Sequence, residues 1–424
     1  MRPLLLLAIL ICFHCVLRKG FCSSEQDKVL SITAVTQEQV ILLQNISSHN
    51  ETTLWQPASP SYITENTPVH LFVQSSSVTR VTELLNTHRF SFSVLLENTQ
   101  QLIQEQTRNI TTDPKSGGMT YERYHSLEDI YYLINKTSQE HPDMTKLILI
   151  GSSFEKNPLY LLKLSGRRGP VDKAMWMDCG IHAREWISPA FCLWFIKYAV
   201  IFYKENPDIT AMLDKMDIYI LPVMNPDGYK YTWTTNRMWR KNRSVREGTS
   251  CVGVDLNRNF DANWCTAGAS SNPCSDIYCG QYPESEPEVQ AVTKFLRAHK
   301  DSIKLYFSMH SYSQMLLFPY SYTHDQIPNH SELFDLVKEA AVKIRRHYKN
   351  VYHFGSGAKT IYLAPGGSDD WAYDQGILYS FTFELQDRGR YGFLLPPNLI
   401  SVACNEALAA VKIISMRVLE KLHE

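Results

Sequence analysis

The chain has 424 residues, 44% of them hydrophobic and 12% aromatic, which excludes an intrinsically disordered protein and allows two to three domains at about 150 residues each. Lys and Arg total 42 against 43 Asp and Glu, so no basic excess exists to grip a nucleic-acid backbone. No run approaches the roughly 20 apolar residues of a membrane span, and no repeat or heptad stretch occurs. Residues 1–22 read as a secretory signal: Arg2 starts it, Pro3 to Leu17 is apolar, and Gly20 and Cys22 flank Phe21 at the cleavage site. Short β-branched runs follow at Val29 to Val35 and Val69 to Val73, with helical patterns over Val78–Asn86 and Phe92–Thr107. Arg108 to Gly118 is polar and rich in turn formers, which marks a domain boundary. Residues 23–115 carry five basic and nine acidic side chains, whereas 116–424 carry 34 of each. Cleavage between Lys115 and Ser116 in this linker would separate the two parts.

Beyond the linker, Ser126 caps a helix reaching about Gln139, and Pro189 to Lys204 is a strongly apolar one. Ser285-x-x-Glu288 forms a capping box ahead of Val289 to Ala298. Further helices start at Ser331 and Leu399. Strand-like runs lie between them at Ala174–Met177, Ile218–Met224, Leu305–Met309 and Leu378–Leu385. The alternation predicts an α/β fold with a mixed, mostly parallel central sheet flanked by helices on both faces, preceded by a small α+β domain.

Cys12, Cys15 and Cys22 fall in the signal; Cys179, Cys192, Cys251, Cys265, Cys274 and Cys279 cluster in an exported chain, which argues for disulfides, with Cys404 left as a buried thiol. Six cysteines allow fifteen pairings, among which sequence does not choose. Glycosylation sequons at Asn45, Asn50, Asn109, Asn135 and Asn329 fit export. A sixth at Asn242 stands two residues from Arg240, where a sugar would obstruct a cleft.

In an open α/β sheet, ligands bind beyond the carboxyl ends of the strands. Those ends deliver His182 and Glu185 after Ala174–Met177, His310 after Leu305–Met309, and Glu384 near the end of Leu378–Leu385. Two histidines and one carboxylate suit a catalytic zinc, which takes three protein ligands and keeps a position open. Glu384 would then serve as general base toward the attacking water. No G-x-S-x-G elbow, P-loop or G-x-G-x-x-G competes with this reading.

Five strings in order, Asp178-Cys-Gly-Ile-His-Ala-Arg-Glu-Trp-Ile-Ser188, Arg237-Met-Trp-Arg-Lys-Asn-Arg243, Val254-Asp-Leu-Asn-Arg-Asn259, Ser308-Met-His-Ser-Tyr-Ser313 and Phe381-Thr-Phe-Glu-Leu385, resemble the metallocarboxypeptidase A/B family from about residue 23 to 424. The resemblance implies one Zn2+ per chain on His182, Glu185 and His310, with Glu384 as general base. Arg240 matches the arginine that polarises the scissile carbonyl. Asn257 and Arg258 match the clamp on the substrate's terminal carboxylate, a task that suits a guanidinium fork. Arg184 matches an outer substrate-binding arginine, Tyr362 the mobile tyrosine over the bound end, and Tyr312 and Phe393 the aromatic walls. Asp369 stands where members that take apolar ends carry an apolar residue, which implies B-type selectivity for C-terminal Lys or Arg; Asp370 is read as structural.

The same resemblance implies the pairings Cys179–Cys192, Cys251–Cys274 and Cys265–Cys279. It also implies a signal peptide (1–22), an activation propeptide with connecting segment (23–115) covering the active-site mouth, and a catalytic domain (116–424), with a trypsin-like protease cutting after Lys115. Leu54-Trp-Gln-Pro57, Ile150 to Lys156 and Leu363-Ala-Pro-Gly-Gly367 are similar to plasma-borne B-type members, in which the cleaved residue is arginine. The expectation is therefore a secreted plasma zymogen acting on peptides and proteins with C-terminal Lys or Arg, partly degraded fibrin among them, and so slowing clot lysis. A pancreatic digestive proenzyme is the nearest alternative; a non-catalytic binding protein would be expected to lack a ligand or Glu384, and neither is missing.

Overall fold

In the computed structural model, which describes residues 26–108, 121–166 and 171–422, alternation along each amino-terminal strand sends side chains to two different partners. Strands β1 (Lys28–Thr33), β2 (Thr52–Gln56), β3 (Pro68–Val73) and β4 (Ser91–Leu96) form an antiparallel sheet in the order β2-β3-β1-β4. Leu30, Ile32, Val69 and Leu71 on one face pack with Val40, Leu43 and Ile46 of helix α1 (Gln37–Ser47) and with Val78, Val81 and Leu85 of α2 (Val78–Thr87). Val29 and Phe72, one residue out of phase, join Trp55 and Leu96 in a second cluster with Met238, Tyr312, Phe393 and Leu394. The small sheet is thus a two-sided adaptor between its own helices and the larger part of the chain.

The expected single helix over Phe92–Thr107 is a strand followed by a helix. Phe92 pairs with Ile32 and Val94 with Leu30 along β1, and helix α3 (Thr99–Thr107) starts only where Asn98 accepts the backbone N–H of Gln101.

The larger part is built on eight strands: β5 (Thr145–Ser152), β6 (Pro158–Leu164), β7 (Ala174–Cys179), β8 (Asp217–Leu221), β9 (Ile303–Ser311), β10 (Met315–Phe318), β11 (His353–Ser356) and β12 (Tyr379–Leu385). Their order is β11-β10-β12-β9-β7-β8-β6-β5, parallel through the central four and antiparallel at β5–β6, β6–β8 and β10–β12. Helices α4 (Leu127–Glu140), α5 (Ile187–Phe202), α6 (Pro207–Lys215), α7 (Pro226–Thr234), α8 (Pro287–His299), α9 (His330–Tyr348), α10 (Gly357–Thr360), α11 (Ser368–Asp374) and α12 (Ile400–Lys421) complete it. Met175, Met177, Leu305 and Phe307 face a core shared with α5, α9 and α12, while Trp176 and Tyr306 face one shared with α8 and α11. The mixed sheet sandwiched by helices is the predicted α/β architecture. The β5–β6 hairpin was not anticipated, nor were the short strands β10 and β11.

The capping box expected at Ser285 and Glu288 is absent. Glu286 is the N-cap residue of α8, Ser285 donates to the Glu286 carboxylate, and Glu288 is buried, accepting the Phe154 backbone N–H at 3.0 Å. A tertiary donor has taken the carboxylate that a local cap would need. Three expectations, the signal peptide, the Lys115–Ser116 cleavage point and the Asn109 sequon, fall outside the described residues.

Candidate active site

The site grows from the carboxyl ends of three neighbouring parallel strands. Chain leaving β7 turns at Gly180, whose φ of +65° belongs to the left-handed region, and carries His182 and Glu185 back over the sheet before α5 begins. His310 lies within β9, and Glu384 of β12 is paired in register beside it. All four side chains line one cavity of about 570 Å3.

His182 Nδ1 is 2.8 Å from Glu185 Oε1, and His310 Nδ1 is 3.1 Å from both Glu185 Oε2 and His182 Nδ1. His182 and His310 are buried together with Glu185. On the far side, His182 Nε2 is 3.1 Å from the Asp255 carboxylate. Nε2 donating to Asp255 leaves the Nδ1 lone pair pointing at the other two groups. Two imidazole nitrogens and a carboxylate converging in a buried pocket fit a zinc ion in number and chemistry.

Asp255 has a second partner. Arg240 Nε and Nη2 donate to its Oδ2 at 3.2 and 2.9 Å, and Nη1 stands 3.8 Å from Glu185. Burial, the largest influence, opposes the guanidinium charge, but the neighbouring groups, the Asp255 carboxylate foremost, together hold its pKa above the usual arginine value. Burial and the nearby Glu185 carboxylate raise Glu384 to about 8. Asp255 was overlooked as a functional residue, although it sits inside Val254 to Asn259; its partner His182 is 73 positions away, so no local spacing announces it.

Asn257 and Arg258 lie on a short 3-10 turn after Asp255. The Asn257 side-chain oxygen accepts from the Ser368 N–H at 2.9 Å; Arg258 Nε and Nη1 donate to the carbonyls of Gly268 and Asn257. Both residues line the cavity with Tyr312, Tyr362, Asp369 and Phe393. Asp369 and Asp370 begin α11 but diverge. Asp369 faces the cavity, whereas Asp370, fully buried, accepts the backbone N–H groups of Ser321 and Tyr322 at 2.8 to 3.0 Å. Burial raises the Asp369 carboxyl above its ordinary pKa, with a Thr382 hydrogen bond opposing. Gly357 keeps this corner open, since a Cβ there would stand 2.0 Å from Ser321 Oγ. Arg184 is not on the cavity wall. It is completely buried, its guanidinium 4.4 Å from the Phe393 ring centroid.

The amino-terminal domain closes the mouth. Tyr62 stacks on Tyr362 with centroids 4.6 Å apart and donates to the carbonyl of Gly268. Trp55 inserts edge-on between Tyr312 and Phe393, at 6.3 and 5.3 Å. The His70 ring nitrogen meets the Tyr312 hydroxyl at 2.9 Å. Gln106 of α3, almost fully buried, donates to the Leu395 carbonyl at 2.9 Å and accepts from Arg237 at 3.1 Å.

Disulfides join Cys179 to Cys192, Cys251 to Cys274 and Cys265 to Cys279; Cys404 is a buried thiol. Asn45, Asn50 and Asn135 are exposed. Asn329 is half-buried, donating to the Leu378 carbonyl and accepting from the Tyr373 hydroxyl. Asn242 is fully buried, its amide nitrogen donating to Glu286 and Glu288 at 2.8 and 3.2 Å, which leaves no room for a sugar.

Residues 130–410 match the family described as zinc carboxypeptidase, and residues 30–106 the family described as carboxypeptidase activation peptide. Carboxypeptidase B2 of Rattus norvegicus is 54% identical, over 93% of this chain and 94% of its own. Carboxypeptidase B of Bos taurus is 45% identical, over 99% of this chain and 100% of its own. The crystal structure of thrombin activatable fibrinolysis inhibitor superposes with a TM-score of 0.90 and 52% identity, covering 93% of this chain and 99% of that one.

Proposed function

The chain belongs to the zinc carboxypeptidase family and is a B-type enzyme made with its own activation peptide, and from that premise we propose that it removes single C-terminal Lys or Arg residues once residues 23–115 are cut away. The observation that carries the proposal is the joint lining of one cavity by His182, Glu185, His310, the Asn257–Arg258 pair and Asp369. One cation per chain on the first three would act as Lewis acid toward the scissile carbonyl and the attacking water. Asn257 and Arg258 receive the substrate's terminal carboxylate, and Tyr362 swings over it once Tyr62 has left. Asp369 pairs with the basic side chain, because an apolar end would leave a buried carboxylate without a partner. Glu384 takes the proton of the attacking water and passes it to the departing amine; a cation on the neighbouring ligands would favour its ionised form, which burial and the Glu185 charge alone oppose. Arg240, already positioned by Asp255, meets the developing oxyanion at little further cost in ordering.

The similarity to carboxypeptidase B2 and to thrombin activatable fibrinolysis inhibitor supports a secreted plasma zymogen whose substrates include partly degraded fibrin, with a trypsin-like protease acting after Lys115. Exposed Asn45, Asn50 and Asn135, with Asn109, would carry its glycans, and Asn329 one at a more confined position. The test uses purified full-length protein before and after limited trypsin, with blocked dipeptides ending in Arg or in Phe. Chelator-sensitive release of Arg that appears only after cleavage supports the reading. Preferential release of Phe would remove Asp369 from its role, and no release from either peptide would overturn the enzymatic assignment.

A further inference from the structure

Metal-binding histidines in proteins almost always hand their second ring N–H to a carboxylate, carbonyl or water, and that outer partner fixes which nitrogen faces the metal. His182 follows the direct form through Asp255. His310 does not: its Nε2 stands 3.1 Å from Ser308 Oγ, two residues back on the same strand. Alternation along β9 puts Tyr306, Ser308 and His310 on one face, and β7 runs parallel beside it with Trp176 opposite Tyr306 and Asp178 opposite Ser308. Ser308 Oγ donates to Asp178 Oδ1 at 2.7 Å, while the Tyr306 hydroxyl and the Trp176 indole N–H donate to Oδ2 at 2.6 and 2.8 Å. Trp176, Asp178, Tyr306 and Ser308 are all 0% exposed, so water does not substitute for any of these bonds.

With Asp178 ionised, the donor directions close on one solution. An indole N–H only donates, so Asp178 Oδ2 is an acceptor and shares that role toward Tyr306. Ser308 spends its single hydroxyl proton on Oδ1. Its remaining lone pairs then accept from His310 Nε2–H, and the lone pair of His310 is left on Nδ1, the atom 3.1 Å from Glu185 and from His182 Nδ1.

We infer that Ser308 is a positioning residue for the metal centre, a hydroxyl relay through which Asp178 fixes the tautomer and ring orientation of His310. The two histidines are thereby held by unequal devices, His182 by a carboxylate in direct contact and His310 by a carboxylate one hydroxyl removed. This inference rests on the reading of His182, Glu185 and His310 as zinc ligands, and its test separates the two.

The full-length protein is stripped of metal, and zinc affinity is measured by competition with a chromogenic chelator for wild type, Ser308→Ala, Asp178→Asn and Tyr306→Phe. The visible spectrum of the cobalt-loaded forms is recorded in parallel. Ser308→Ala removes only the relay oxygen and is expected to weaken zinc about 10- to 100-fold, the range seen for outer partners of metal-bound histidines, with a displaced cobalt band. Asp178→Asn keeps the shape and is expected to weaken it by a smaller factor in the same direction. Tyr306→Phe removes an equally buried donor to Asp178 that does not touch His310, and is expected to change affinity less than about threefold. Equal zinc affinity and an unchanged cobalt spectrum in Ser308→Ala overturn the relay, as does a Tyr306→Phe loss as large as that of Ser308→Ala. Should Ser308→Ala not yield folded protein, Asp178→Asn against Tyr306→Phe decides by the same comparison. Failure of the wild type to bind zinc would overturn the metal centre itself.

Discussion

Asp369 and Asp370 are chain neighbours with separate tasks. Replacing Asp369 by Ile removes the carboxylate assigned to the basic side chain of the substrate. A hydrogen bond to a charged group contributes about 1.5–3 kcal/mol, so release of Arg from a matched peptide should fall about 10- to 150-fold in kcat/KM while release of Phe rises. Asp370→Asn should leave that ratio alone and instead lower the unfolding free energy by about 1–3 kcal/mol in denaturant titration, because the amide nitrogen would replace Oδ1 and set a donor against the Ser321 N–H that this oxygen accepts at 3.0 Å. Glu384→Gln should lower kcat by about 100- to 10,000-fold with zinc content unchanged by metal analysis. Most residues assigned to substrate or metal were legible because they sit in strings of five to eleven residues. Asp255 and the Asp178–Ser308 pair were passed over as outer partners, because Asp255 lies 73 positions from His182 and Asp178 lies 130 from Ser308. Only the register of β7 against β9 reveals the latter.

At the level of elements, strands buried on both faces announced themselves. β7 and β9 carry the apolar runs Ala174–Met177 and Leu305–Phe307, and β12 sets Phe381, Phe383 and Leu385 between polar residues, so all three could be placed from the sequence. β4 did not, because it is an edge strand whose Ser91, Ser93 and Val94 are exposed; with half its residues in water it shows no clean period of two. The α8 start failed for another reason. The motif Ser-x-x-Glu describes a local exchange of hydrogen bonds, and a buried backbone N–H from Phe154 competed for the glutamate. Among the elements of the amino-terminal domain, β2 carries the side chain that enters the aromatic slot of Tyr312 and Phe393. Trp55→Ala empties that slot, and truncation of a buried tryptophan costs about 3–5 kcal/mol where the surroundings cannot collapse. Hydrogen exchange of β2 and β3 amides in the full-length protein should quicken accordingly, with α8 and β8 unaffected.

For the whole molecule, the contact between the two parts is built from aromatic stacking and hydrogen bonds, in which the one charged donor described above, Arg237, meets the neutral Gln106 amide. Among the described residues, no ion pair crosses it. Raising sodium chloride to about 1 M screens charges over a few ångströms, so the latent protein should stay latent in salt, and a steep salt-induced rise in Arg release would contradict this. Acid should act differently. Burial holds the His70 pKa down at about 4 against an ordinary 6.5. The folded contact therefore favours the neutral ring, contributes fully above pH 6.5, and is lost progressively as pH falls from 6.5 toward 4. Hydrogen exchange of β3 should rise over that window in the wild type and stay flat in His70→Phe.

Asn242 sets two processes against each other in time. The tripeptide Asn-Arg-Ser is recognisable to a glycan transferase only while it is an extended, solvated strand, and the native fold later seals its amide between Glu286 and Glu288. A sugar attached in that interval would lock the segment after Arg240 out of its place, and the cavity-lining guanidinium with it. If the chain is exported as proposed, the yield of competent enzyme would be a race between closure of residues 240–254 and modification of one nitrogen atom, decided before the chain has any activity to lose.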